Sequence, residues 1–240
     1  MAIRNIKVKN MQFNISYEIV NREKKTDLIV LHGWGSNKEL MMNAFKRFMP
    51  SFRHIYIDMP GFGKSGNDYS LTTNDYYNII ERFIKELNLK KDIVIGHSFG
   101  GKVALLLEPK LLVLLSSAGI PVKKSFKTRA KIALFKLLKP LGGENFYKLF
   151  ATKDVEGMSK NMYETLKNVV DEDFSENFKN FKNKALIFWG EKDGATPISS
   201  GKKIASLIKN SRFIPMEGDH YFFLKNPQKI SEAIEESYGK

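Results

Sequence analysis

Residues 93–101 read IVIGHSFGG. The first half is an unbroken apolar run, as expected of a strand covered on both faces of a parallel sheet. The second half is Gly-x-Ser-x-Gly, followed at once by a short helical pattern over 99–107. Gly96 and Gly100 let the chain turn sharply from strand to helix, which leaves Ser98 strained and exposed at the sheet edge. That context predicts a nucleophilic serine, Ser98, at the carboxyl end of a buried strand.

The flanking sequence repeats the same theme. Further apolar runs lie at 27–33, 54–61, 110–119, 185–193 and 212–220, and two alternating segments, 3–8 and 12–20, read as a strand pair. Helical patterns fall between the runs at 38–48, at 72–88 behind Thr72/Thr73 as the cap, at 199–209 and after Pro227. Strands alternating with helices predict an α/β fold with an eight-stranded, mostly parallel sheet. The alternation breaks once. Between Gly119 and Lys184 the chain shows helical periodicity and no strand, with Phe126, Ala130, Ala133, Leu134, Leu137 and Leu138 on one stripe before Pro140. The expected organisation is a core of 1–118 and 184–240 with an all-helical insertion, 119–183.

Composition narrows the chemistry. The 240 residues include no Cys, so disulfides, thiolate nucleophiles and Cys-ligated metals are excluded. No His and carboxylate set has metal-ligand spacing, and no metal or cofactor is expected. The longest apolar stretch, 103–120, is broken by Glu108, Pro109 and Lys110 and cannot span a membrane. The first ten residues lack the apolar core of a signal peptide, so a cytoplasmic protein is expected. Net charge is +13. Two readings of it stay open: an acidic partner, or a Lys-rich proteome.

In an open parallel sheet, ligands bind outside the carboxyl ends of the strands. Three such ends carry reactive types. Ser98 is the first. The second is WGEKDGATP (189–197), where Asp193 and Glu191 compete as the carboxylate that would orient an imidazole. Asp193 lies further into the loop. The third is GDHYFFLKNP (218–227), where His220 follows the last strand, late in the chain, as a general base would. One more stretch, GFGKSG (61–66), imitates a nucleotide loop. It follows a later strand rather than the first, and it opens into a polar loop rather than a helix. Asp58 stands where a phosphate loop needs its first Gly.

The order Ser98, Asp193, His220 belongs to one fold. The motifs LHGWG, DMPGFGKSG, GHSFGG, GEKDGATP and GDHYFFLKNP, in that order, make the whole chain resemble an α/β-hydrolase with a helical cap. The resemblance implies a triad of Ser98, His220 and Asp193. It also implies oxyanion donors from the backbone of Phe99 and Trp34, a structural His32 bonding within its loop, and a structural turn at GFGKSG. Relatives that act on haloalkanes or epoxides use an acidic nucleophile, which Ser98 argues against. The strings LHGWGSN and IDMPGFGKS are similar to bacterial esterases that demethylate pimeloyl-carrier-protein methyl ester. That similarity implies a small acyl ester as substrate and an acidic acyl carrier protein as partner, with no nucleic acid. Residues 119–153 carry nine Lys/Arg against the single acid Glu144, which suits such a carrier. A C–C bond hydrolase of ring-cleavage products and a non-catalytic ligand receptor are the alternatives on the same fold.

Overall fold

The structure, a computed structural model, describes residues 1–122 and 158–239. An antiparallel pair, β1 (Ala2–Val8) and β2 (Met11–Val20), leads into β3 (Asp27–Leu31), β4 (Arg53–Ile57), β5 (Ile93–His97), β6 (Leu111–Leu115), β7 (Lys184–Gly190) and β8 (Ser211–Met216). Together they form one eight-stranded sheet in the order β1-β2-β4-β3-β5-β6-β7-β8. β2 runs antiparallel to β4, and every pairing beyond it is parallel. The helices described are α1 (Lys38–Phe45), α2 (Thr73–Glu86), α3 (Phe99–Leu106), α4 (Lys160–Val169), α5 (Ser175–Asn180), α6 (Ile198–Leu207) and α7 (Pro227–Gly239).

β3, β5 and β6 are apolar but for Asp27 and His97 at their ends, because both faces of these strands are covered. Successive side chains point to opposite faces, and the buried residues divide accordingly. Ile29, Leu31, Ile55, Ile57, Val94, Leu112 and Leu114 pack on one side with α2, α3, α4, α5 and α6. Leu28, Val30, Tyr56, Ile93, Ile95, Val113 and Leu115 pack on the other with α1 and α7. α2 starts as expected. Thr72 accepts from the Asp75 N–H, and Asp75 accepts from the Thr72 N–H, a reciprocal cap.

In the expected insertion, α4 and α5 bury Met162, Val169 and Phe178 in the same cluster as α2 and α3. Residues 123–157 of that segment, including the 126–138 stripe, lie outside the described residues.

β4 stops at Ile57, short of the expected 54–61, because Asp58 organises the next turn. Its carboxylate accepts from the Lys38 N–H at 2.8 Å, the Lys38 ammonium at 2.5 Å and the Lys64 N–H at 3.0 Å. Lys38 is only 2% exposed. Gly63 has φ +55°, and a Cβ there would overlap the Asp58 carboxylate. The Gly61 and Ser65 N–H groups donate to carbonyls inside the turn. Asn161 of α4 donates to the Asn67 carbonyl at 2.6 Å, and Thr165 accepts from the Leu71 N–H at 3.0 Å. In GFGKSG the N–H groups of Gly61, Phe62, Lys64 and Ser65 all have acceptors within or beside the turn, so they are not free to cradle a phosphate. Among the described residues no helix is long and apolar enough to cross a membrane.

Candidate active site

The carboxyl ends of β3, β5, β7 and β8 open on one edge of the sheet, and the expected site residues sit just beyond them. Ser98 joins β5 to α3 with φ 49° and ψ −116°. A non-Gly residue there stores about 1–3 kcal/mol of strain and persists only if its surroundings over-determine it. The surroundings do so. The Ser98 N–H donates to the Leu115 carbonyl at 3.0 Å, and the Ser98 carbonyl accepts from Gly101 and Ala118, each at 3.0 Å. The motif glycines serve close approach: a Cβ on Gly96 would overlap the Gly100 carbonyl, and one on Gly100 the His32 carbonyl.

Asp193 and His220 meet. The His220 Nδ1 lies 2.8 Å from Asp193 Oδ2. A carboxylate only accepts, so Nδ1 carries the proton and Nε2 keeps a free lone pair. The other carboxylate oxygen, Oδ1, accepts from the Ala195 and Thr196 N–H groups at 2.8 and 2.9 Å. The Thr196 hydroxyl adds a bond to Oδ2 at 2.9 Å. Burial alone would raise the Asp193 pKa, but the His220 ring, the Thr196 N–H and the Ser116 side chain outweigh it and hold it at about 2. Glu191, the competing acid, is exposed. Thr196 went unnoticed in the sequence, although a Thr three residues after a loop Asp is a familiar turn arrangement.

The Ser98 turn and the His220 loop come together through His97. Its Nε2 lies 3.0 Å from the His220 carbonyl, and its ring centroid is 4.6 Å from that of His220.

Residues 28–233 match the alpha/beta hydrolase family. The chain belongs to that family. A hydrolase of Bacillus subtilis strain 168 called YugF, itself uncharacterized, is 25% identical over 92% of this chain and 93% of its own length. A pimeloyl-[acyl-carrier protein] methyl ester esterase of Pectobacterium carotovorum is 37% identical over 79 residues, 33% of this chain and 29% of that protein. A solved esterase from Exiguobacterium antarcticum superposes with a TM-score of 0.77 at 22% identity, covering 98% of this chain and 99% of that one. That likeness bears on the fold alone.

In this hydrolase the loop after β3 carries Trp34, whose ring packs edge-on against Phe62 and Phe99. Phe99 opens α3, so its N–H has no partner within the helix. Among the described residues neither the Phe99 nor the Trp34 backbone N–H meets an acceptor. His32, expected to bond within its own loop, does more. Its Nδ1 donates to the Gly33 carbonyl at 2.7 Å, and its Nε2 accepts from the Met59 N–H at 3.0 Å. Both ring nitrogens are used, and the loop bearing Trp34 is tied to the turn around Asp58.

The buried histidines predict acid sensitivity. Burial lowers the pKa of His32 to about 4 and of His97 to about 3, and it lowers that of His54 as well. An unfolded His titrates near 6.5. Above that pH neither state binds the proton, and these rings do not affect stability. Below it the unfolded chain takes up protons that the folded chain refuses, so stability falls until the folded pKa values are reached. Each ring contributes a slope approaching about 1.4 kcal/mol per pH unit. Urea unfolding should therefore show a loss on the order of 4 kcal/mol for His32 and His97 together between pH 7.5 and pH 5. Most carboxylates titrate lower and add little in that window. A flat profile there would mean that these rings are charged in the fold.

Proposed function

We propose that this hydrolase is a serine carboxylesterase with Ser98 as nucleophile, His220 as general base and Asp193 as the carboxylate that orients it. The observation that carries this reading is the conjunction of a strained Ser98 on the strand-to-helix turn with a His220–Asp193 pair packed against the same turn. Ser98 Oγ attacks the ester carbonyl and gives its proton to His220 Nε2. The Trp34 and Phe99 N–H groups hold the negative charge on the former carbonyl oxygen. His220 then protonates the departing alcohol, leaving an acyl-Ser98 ester. Water attacks that ester as His220 takes its proton, and collapse releases the acid and restores Ser98.

The expected insertion, 119–183, is our candidate for a cap that sets the acyl size. The apolar stripe at 126–138 fits an apolar acyl chain. The physiological substrate is a methyl ester carried by an acidic acyl carrier protein. Two features support it: the likeness to the pimeloyl carrier-protein esterase, and the nine basic residues against one acid over 119–153.

A fluorophosphonate probe should label the wild-type chain at Ser98, and p-nitrophenyl and methyl esters of increasing acyl length should be turned over. Turnover of vinylogous diketone ring-cleavage products without ester hydrolysis would mark a C–C bond hydrolase instead. No labelling would mark a non-catalytic receptor.

The carrier is tested separately. Reversing Lys127 and Lys131, one helical turn apart in the sequence pattern, to Glu should raise KM for a carrier-bound ester roughly tenfold, because rim charges act on association. A free p-nitrophenyl ester should change less than about twofold, and added salt should mimic the reversal only on the carrier substrate. Equal effects on both esters would leave a small-ester hydrolase without a carrier.

A further inference from the structure

His97 fills the variable position of the Gly-x-Ser-x-Gly turn, where the sequence assigns it nothing. It is only 1% exposed. Its Nε2 lies 3.0 Å from the main-chain carbonyl of His220. A carbonyl only accepts, so Nε2 carries the proton and Nδ1 is a bare lone pair. Nδ1 has no hydrogen-bond partner among the described residues and faces Gly33, where an added Cβ would stand 2.8 Å from it. An N–H at that position would be a buried, unsatisfied donor, so packing and the His220 carbonyl select the same tautomer. The ring also packs against His220, Tyr221 and Phe223, with centroids 4.6, 5.3 and 4.9 Å away.

Asp193 grips the His220 ring from one side, while the residue preceding Ser98 grips the His220 main chain from the other. Resting on the triad reading above, we infer that His97 is a positioning residue. It ties the general-base loop to the nucleophile turn and thereby sets the reach of His220 Nε2 to Ser98 Oγ. The link spans 123 residues of chain but joins the immediate neighbour of one reacting group to the backbone of the other. A side chain placed this way acts on the chemical step and not on substrate binding, because misplacement by about 1 Å costs on the order of a hundredfold in rate.

His97→Phe keeps a flat ring and removes the donor. His97→Gln keeps an N–H donor within reach of the carbonyl. The Phe variant should lose about 30- to 100-fold in kcat with KM within about twofold, and fluorophosphonate labelling should slow in parallel. The Gln variant should recover to within about fivefold of wild type. A Phe variant within about threefold of wild type, or a Gln variant no better than Phe, overturns the inference.

A second measurement does not depend on variants folding. In the 15N spectrum of the wild-type enzyme, His97 should be the neutral Nε2–H tautomer at pH 6. A proton on Nδ1 overturns the inference. Failure of the triad reading looks different, because the wild-type enzyme would then not label with the probe at all.

Discussion

Ser98→Ala should reduce ester turnover by about 10⁴ to 10⁶ fold while the protein stays folded. Among the described residues the Ser98 side chain takes part in no hydrogen bond, and the residue is half-buried, so removing its hydroxyl leaves no partner stranded. Variant activity above a tenth of wild type would remove Ser98 from the nucleophile role. Ser98→Gly sharpens the same test. Glycine adopts φ 49° and ψ −116° without the steric cost that serine bears there. The Gly variant should be as inactive as the Ala variant yet melt higher, with a net gain of about 0.5–2 kcal/mol after the extra freedom of the unfolded chain is subtracted. A gain of that size raises the midpoint of a chain this long by roughly 2–4 °C per kcal/mol. Lost stability in the Gly variant would show that the turn is relaxed, and the strain argument would fail.

Asp193→Asn should lower kcat by roughly 10⁴ fold. The structure specifies why the amide cannot adapt. The position of Oδ1 accepts two backbone N–H groups, from Ala195 and Thr196. Only an oxygen can sit there, so the new NH₂ is forced toward His220 Nδ1. A donor facing Nδ1 moves the imidazole proton to Nε2, the atom that must receive the proton of Ser98. Glu191→Gln should stay within about twofold, because Glu191 is exposed and has no described contact with His220. The opposite pair of results would make Glu191 the orienting acid.

The strands are legible in the sequence itself. A segment covered on both faces admits few polar side chains, so β3, β5 and β6 appear in the sequence as apolar runs whose polar residues, Asp27 and His97, stand at the strand ends. The serine turn was readable for a related reason, since glycines are required where backbone meets backbone at Gly96 and Gly100. Thr72 announced the start of α2 through local hydrogen bonding alone. In each case the information lies within a few residues.

The choice between Asp193 and Glu191 was not of that kind. Both lie in one short loop, and their difference exists only because β7 and β8 end side by side and bring His220 to Asp193 across 27 residues. Nothing in the local sequence marks Lys38 for burial, but Asp58, on the neighbouring strand end, draws it inside. His97 reads as filler between Gly96 and Ser98, because its partner is a main-chain carbonyl, and a carbonyl leaves no mark on composition or periodicity. Sequence determines what a segment can become because propensity and burial act locally. Which polar groups face each other is decided by the assembled sheet, since those contacts depend on strand order and on where each strand stops.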